Sequence, residues 1–270
     1  VMTWAGKQKV EFEFFSTTGP GDGVRLAKLC KFRRFEKVVV IGGDGTINEV
    51  GSGLIDSDIV MGVIPGGSGN DFYKMLGNNS RTENGFKTAF FGRPHPVDVG
   101  LVNGRTFFNA VGIGFDAEVA LRASRSTGMS GMLVYLAAVF QSWRNLKPVE
   151  LEIELDKHEF AANATLVCIG NGRSSGGGFY LTPQARFDDG LFDICLIEAV
   201  PKSKILTYLP RTLNGSHVRL PGVKIYRSKK IVINSYRKFP VHIDGEPLTE
   251  PIGLAEFTME SKKLKVAVAG

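Results

Sequence analysis

Apolar and polar positions follow two different patterns along this chain, and the change falls near residue 97. Before it, short branched apolar runs alternate with stretches of helical spacing. Val38-Val39-Val40-Ile41 has the pattern of a strand buried on both faces. Helical spacing over 47–54 and a second apolar run, Ile59 to Ile64, come next. Upstream, Val10 to Phe15 alternates like a strand. Residues 24–35 then have helical spacing with a basic outer face of Arg25, Lys28, Lys31, Arg33 and Arg34. The first four residues carry no strand or cap signal. The repeated strand-loop-helix order predicts an α/β unit with a parallel sheet and ligands at the carboxyl ends of its strands.

From Val97 onward period-two runs dominate. The runs 97–102 and 106–111 flank Asn103-Gly104, a strong hairpin signal. Further strands are predicted over 149–155, 164–169, 191–198, 223–226, 230–234, 241–243 and 264–268, with helices over 129–146 and 202–216. This half is expected to be β-rich and antiparallel, a sandwich or flattened barrel. The predicted division is an α/β unit over 1–97 and a β-rich unit over 98–254, with the tail 255–270 packing back on the first.

Bulk properties narrow the picture only a little. The 270 residues are 43% hydrophobic and 22% charged, as expected of a globular protein with ample core. A net charge of +6 suits nucleotides, anionic lipid surfaces or nucleic acid without selecting among them. The basic residues are not interleaved with a stacking aromatic platform, so nothing points to nucleic acid. Cys30, Cys168 and Cys195 are far apart, form no metal spacing and suggest a reducing compartment such as the cytoplasm. The most apolar helical run, Met132 to Phe140, is far too short to span a bilayer, and no secretory signal is visible.

The chemistry concentrates in the turns. After Ile41 come Gly42, Gly43, Asp44, Gly45, Thr46, Ile47 and Asn48. The glycines permit close approach to the main chain, and Thr46 can cap the helix that follows. A strand, a glycine turn and a helix N-terminus together make an anion site. Asp44 would repel a phosphate there unless it holds a metal, a water or a ribose hydroxyl; a tight turn with no ligand is the plain alternative. A second glycine turn, Pro65 to Asp71, leaves the next strand with a hydroxyl at Ser68. Two such turns on adjacent parallel strands would line one crevice, and Thr17 could add a hydroxyl from the preceding loop. In the second half, Asp188-Asp189-Gly190 is either a hard-cation site or an ordinary turn. Asp244-Gly245-Glu246 places two carboxylates across a glycine. One could be a general base and the other an orienting or metal-binding group, or the stretch is a simple hairpin turn. The P-loop pattern, H-E-x-x-H, CxxC and G-x-S-x-G are all absent, and Asn48 stands where a dinucleotide fingerprint needs its third glycine. His95, His158, His217 and His242 are scattered and read as surface or structural residues.

In order, TT-x-x-GD at 17–22, GGDGTINEV at 42–50, PGGSGNDF at 65–72, VDVG at 97–100, GIGFDAEV at 112–119, NGR-x-x-GGG at 171–178, DDGLFD at 188–193 and HIDGEP at 242–247 span nearly the whole chain. This set resembles the diacylglycerol kinase catalytic domain family in its bacterial soluble form, a superfamily shared with sphingosine kinases and, more distantly, NAD kinases. The resemblance implies two domains facing each other across a cleft that holds ATP. It implies that Gly42, Gly43, Asp44, Gly45, Thr46, Ile47 and Asn48 hold the phosphates, with Thr17, Gly67, Ser68 and Asn70 at the nucleotide. Asp44 would belong to an acidic, water-linked network for a catalytic Mg²⁺, together with Asp71, Asp98 and Asp116. The carbonyls of Arg186 and Leu191 and the carboxylate of Asp189 match a structural Mg²⁺ site. Glu246 matches the proton acceptor, with Asp244 beside it. Relatives open with a strand and an N-P-x-[ST]-G loop that nothing here matches. Either the chain as given lacks that beginning or the protein has lost part of its nucleotide site; the 10–15 run, which would be the family's second strand, favours the former.

The expected activity is transfer of the γ-phosphoryl of ATP to a lipid hydroxyl, diacylglycerol first. The alternatives are another alcohol (a sphingoid base, ceramide, phosphatidylglycerol or a soluble polyol) and a non-catalytic lipid- or nucleotide-binding protein; NAD kinase fits the motifs least well. With no membrane span, lipid would be reached by peripheral docking. Candidates for that contact are Met129, Met132, Leu133, Arg122 and Arg125, or Arg211, Arg219, Lys224, Arg227, Lys229 and Lys230. A homodimer through the β-rich unit is plausible by analogy.

Overall fold

The computed structural model describes residues 2–77, 83–125 and 132–270. The first part runs α1 (Met2–Lys7), α2 (Asp22–Phe32), β1 (Lys37–Gly42), α3 (Asp44–Leu54), β2 (Val60–Pro65), α4 (Asp71–Met75) and α5 (Glu83–Phe91). Strands β1 and β2 pair in parallel from Lys37–Val60 to Gly42–Pro65. That register brings the two glycine turns out side by side. The main chains touch: the Gly66 N–H donates to the Gly42 carbonyl at 2.8 Å, and a Cβ on Gly67 would lie 2.6 Å from the Gly43 Cα.

The remainder runs β3 (Arg93–Val102), β4 (Arg105–Phe107), β5 (Ala110–Gly114), α6 (Phe115–Ser124), α7 (Met132–Arg144), β6 (Val149–Leu155), β7 (Glu159–Gly170), β8 (Phe192–Glu198), α8 (Lys202–Thr212), β9 (Val223–Ser228), β10 (Lys230–Phe239), β11 (Val241–Ile243), β12 (Glu246–Pro247) and β13 (Ile252–Val268). All thirteen strands join one sheet along the path β1-β2-β13-β10-β6-β7-β5-β11-β12, with β3–β4 branching from β13 and β8–β9 from β7. Among the described residues only β1–β2 and β2–β13 pair in parallel. The 17-residue β13 stitches the halves together. It is antiparallel to β10 and β3, and its end is parallel to β2 through Lys265–Val60 and Val266–Met61.

Three apolar clusters hold this arrangement. Val40, Ile47, Leu54, Met61, Phe72 and Phe108 fill the space between the parallel strands and their helices. Phe107, Phe192 and Phe257 centre the β-rich core, with the first two rings stacked at 5.4 Å and 17°. Val119, Val139, Ile205 and Tyr208 seat α6–α8 on Cys168 and Cys195, adjacent partners of β7 and β8. All three cysteines are buried and free.

Several elements depart from the sequence reading. Residues 10–15 form no strand. Phe12 is 47% and Phe14 60% exposed while only Phe15 packs on the core. Alternation supplied a pattern, but among the described residues no strand pairs with it. The first residues form α1, with Trp4 against the rings of Phe86, Phe90 and Phe91. Helix α3 starts at Asp44 rather than at 47, so Thr46 sits inside its first turn and Gly43 takes the cap position. The predicted 106–111 strand breaks after Phe107, and β13 begins twelve residues before the predicted 264–268 strand.

A Cβ on Gly62 of β2 would come 2.1 Å from the Ala89 carbonyl oxygen of α5. Gly62→Ala is expected to destabilise the protein by on the order of 2 kcal/mol, since backbone must give way. Urea unfolding would measure this; an unchanged midpoint would mean that α5 does not bear on β2.

Candidate active site

Helix α3 presents its N-terminus at the crevice formed by the glycine turns. Gly43 caps it in extended conformation and offers no side chain, so the first-turn N–H groups of Asp44, Gly45 and Thr46 have no intrahelical acceptor. Together with the helix dipole they favour an anion. Thr46 folds back on Gly42, where a Cβ would meet it at 2.7 Å. The Ile47 N–H is spent on the Gly43 carbonyl at 3.0 Å and its side chain is buried in the core. In the second turn Asn70, in left-handed backbone, accepts from the Gly67 N–H at 2.9 Å and donates to the Gly67 carbonyl at 2.7 Å. Its amide therefore shapes the loop, and Ser68 is left exposed beside it. Thr17 is also exposed, next to Thr18, whose N–H donates to Asp22 at 2.8 Å. The Thr18 hydrogen bonds lower the Asp22 carboxyl to about 2.

Asp44, Asp71 and Asp244 converge here. Asp44 accepts the Phe72 N–H at 3.1 Å. Burial first, and then the Asp71 charge, push its carboxyl up to about 6, with Asp244 adding to the repulsion. Asp71 bridges the halves, accepting the Ser174 hydroxyl at 3.0 Å and the Gly177 N–H at 2.8 Å. Asp244 is held by four donors: the Asn48 amide at 2.8 Å and the N–H groups of Phe108, Asn109 and Ala110 at 2.8–3.0 Å. Burial pushes its carboxyl up, and these bonds pull against that. The Asp71 and Asp244 charges both bear on Asp44, and a cation beside Asp44 would relieve that repulsion.

Glu246 stands over the first turn of α3. Its Oε1 lies 2.9 Å from where a Cβ on Gly45 would be. Beside it opens a cavity of about 270 Å³, lined among others by Gly45, Asn48, Ser52, Arg105, Asp244 and Glu246. Two residues on its wall carry roles the sequence did not signal. Glu49 accepts the Gly21 and Gly23 N–H groups at 2.7 and 2.9 Å, fastening the start of α2 to α3. Asn48, expected at phosphate, is committed through its side chain to Asp244.

Asp98 and Asp116 lie outside the Asp44 group. Asp98 accepts the N–H groups of Gly190 and Lys262, both at 2.7 Å. Burial raises its carboxyl, and the Asp189 and Asp188 charges add to this. Asp116 pairs with His242 at 2.8 Å. At the acidic turn Asp189 accepts the Leu191 N–H at 3.2 Å and pairs with Arg227. The Arg186 side chain pairs with Asp188 at 3.3 Å. Among the described residues no three acidic, histidine or cysteine side chains gather into a metal site. A cation here would rest on the carbonyls of Arg186 and Leu191 and on one carboxylate. Such an all-oxygen set is of the kind Mg²⁺ takes, although Asp188 and Asp189 already pair with Arg186 and Arg227.

Residues 3–102 match the diacylglycerol kinase catalytic domain, and residues 109–268 match the YegS C-terminal NAD kinase beta sandwich-like domain. The chain is 32% identical to the diacylglycerol kinase of Bacillus subtilis (strain 168) over 235 residues, 86% of this chain and 78% of that one. A crystal structure from Bacillus anthracis str. Sterne superposes with a TM-score of 0.76 at 25% identity, over 93% of this chain and 82% of that one. A second from that strain, described as a diacylglycerol kinase, has a TM-score of 0.70 at 22% identity, over 94% and 84% of the two chains; this likeness concerns the fold.

A carboxyl whose native value is raised opposes folding wherever it is ionised. For Asp44 the opposition is absent below about pH 4, its ordinary value, and complete above about 6. Asp44→Asn, which keeps an acceptor for the Phe72 N–H, is therefore expected to melt about 3 °C or more above the wild type at neutral pH without nucleotide or Mg²⁺. The gap should close towards about pH 4. Thermal melts across that range check this, and a pH-independent gap would remove the electrostatic explanation.

Proposed function

Because the chain belongs to the diacylglycerol kinase family, and is a lipid kinase at that level, we propose that it transfers the γ-phosphoryl group of ATP to a lipid hydroxyl with the help of Mg²⁺, diacylglycerol being the first acceptor. The observation that carries this reading is the meeting of Glu246 with the N-terminus of α3, under which Asp44, Asp71 and Asp244 lie. The N–H groups of Asp44, Gly45 and Thr46 receive phosphate oxygens, and the exposed Ser68 and Thr17 flank the nucleotide. Asp44 would help hold Mg²⁺, which would supply charge neutralisation at the phosphates. Glu246, exposed and unburdened by hydrogen bonds among the described residues, accepts the acceptor's proton. Asp244 cannot share that task readily, because four donors already occupy its oxygens. Its part is to fix the turn. Phosphoryl transfer depends mainly on such positioning and charge neutralisation.

Among the described residues no helix is long and apolar enough to cross a membrane. We assign lipid access to the outer face of α7. Leu136 and Phe140, one turn apart, are 39% and 59% exposed. Phe140 stacks on Trp143 at 5.8 Å, and Trp143 donates to the Lys202 carbonyl at 2.7 Å. Lys202 in turn donates to the Arg144 carbonyl, and the exposed Arg144 stands one turn after Phe140 on the helix. Apolar contact bordered by cations fits an anionic lipid surface. Of the other candidates, Lys224 pairs with Glu198, and Arg227 with Asp189 and Asp193. Met129 and the side chains of Met132 and Leu133 lie outside the described residues.

The deciding experiment supplies γ-labelled ATP, Mg²⁺ and a panel of lipids in mixed micelles. Label is expected in phosphatidic acid; label in a different lipid would replace the acceptor, and label in none would remove the kinase reading. Glu246→Gln should lower kcat by about 100-fold or more while ATP binding, followed by calorimetry, stays within about 3-fold. Retained turnover would exclude Glu246 as the base. Leu136→Glu with Phe140→Glu should weaken binding to anionic vesicles about tenfold or more. Unchanged sedimentation with vesicles would exclude α7 as the contact.

A further inference from the structure

His242 and Asp116 are 1% and 2% exposed, the most deeply buried histidine–carboxylate contact described in the β-rich half. Neither touches the crevice directly, yet both connect to the turn that Glu246 follows. The Gly245 N–H donates to Nδ1 of His242 at 3.2 Å, so Nδ1 carries no proton. The proton then sits on Nε2, which donates to Asp116 Oδ2 at 2.8 Å. Asp116 belongs to the first turn of α6, where the helix dipole favours a carboxylate. The result is a chain of directed bonds from α6 through an imidazole of fixed tautomer to one backbone N–H.

That N–H lies at a sensitive point. Strands β11 and β12 pair Ile243 with Glu246, so Asp244 and Gly245 are the two central residues of a tight hairpin. Both have positive φ, 48° and 86°, as a primed turn requires. Aspartate followed by glycine suits such a turn, but the hairpin has only two paired positions to hold it. The neighbouring strand makes room for the arrangement. Gly112 of β5 pairs with His242, and a Cβ there would lie 2.2 Å from Nε2 and 2.5 Å from Asp116 Oδ2. Burying an imidazole and a carboxylate is costly, and a well-packed apolar set is often at least as stable. Orientation of the turn accounts for them better than stability does.

We infer that His242, oriented by Asp116, is a positioning residue for phosphoryl transfer: it tethers the Gly245 N–H and so aims Glu246 at the first turn of α3. This rests on the kinase reading. His242→Asn puts an amide oxygen near the Nδ1 position and keeps the tether while losing the bond to Asp116. His242→Gln puts an amide nitrogen near the Nε2 position and keeps Asp116 while losing the tether. The Gln variant is expected to lose about 100-fold in kcat with KM for ATP and lipid within about 3-fold, and the Asn variant to stay within about 10-fold of wild type. Equal losses in the two, or a Gln variant as fast as wild type, would overturn the inference. Should either variant fail to fold, the wild type decides: imidazole ¹⁵N shifts must show a neutral ring protonated at Nε2, and any other state removes the tether. A wild type without activity on any lipid sinks the kinase reading instead, and slow hydrogen exchange at the Gly245 amide then upholds the tether, fast exchange denies it.

Discussion

The carboxylate of Asp244 is the constraint on which the crevice depends. One oxygen takes the Asn48 amide from α3 and the Phe108 N–H; the other takes the N–H groups of Asn109 and Ala110. A hydrogen bond to a charged group contributes about 1.5–3 kcal/mol net, so the four offset part of the cost of burying this charge, which still leaves the carboxyl raised. They also explain why β4 stops at Phe107. The next three N–H groups turn towards one side chain instead of continuing a ladder. Helix α3, the β4–β5 connection and the turn bearing Glu246 are thereby fixed by a single group.

The same region shows two electrostatic effects in competition. A helix N-terminus favours a nearby anion by about 0.3–1 kcal/mol in ordinary settings. Asp44, the first residue of α3, should benefit. Its carboxyl is nevertheless raised to about 6, so burial and the Asp71 and Asp244 charges outweigh the dipole and the Phe72 N–H. The protein alone therefore holds more negative charge here than it can neutralise. It faces a set of N–H groups that attract negative charge from the other side. On the proposed reading a cation and an anionic ligand together would complete the site.

The sequence displayed the glycine turns, the strand-helix alternation and the β-rich second half because these depend on local spacing. It placed β1 and β2 correctly because branched runs and glycines determine them within a few residues. It misjudged 10–15 because alternation reports two faces and says nothing of whether a neighbouring strand exists. The early start of β13 escaped notice because Ile252 to Lys263 mixes charged and apolar positions, being exposed at some and buried at others. Polar partnerships were the least legible. Asn48 and Asp244 are 196 positions apart, and Asp116 and His242 are 126 apart. Nothing near Asn48 distinguishes a phosphate contact from a clasp on a distant carboxylate, and a scattered histidine gives no hint of the glycine that makes space for it.

The size of the cavity bears on what a lipid kinase of this shape reads in its acceptor. About 270 Å³ falls below the roughly 300–1,000 Å³ of pockets that enclose a drug-sized ligand. Two acyl chains exceed it several times over. Polar side chains of Asn48, Ser52, Arg105, Thr106, Asp244 and Glu246 line it together with apolar surface that includes Val24 and Ile243. On the proposed reading the cavity therefore receives the head of the acceptor, and the chains stay in the lipid surface from which it came. Discrimination among acceptors would then fall on the groups around the reacting hydroxyl. Chain length would affect how readily the lipid is lifted and leave the chemistry at Glu246 unchanged.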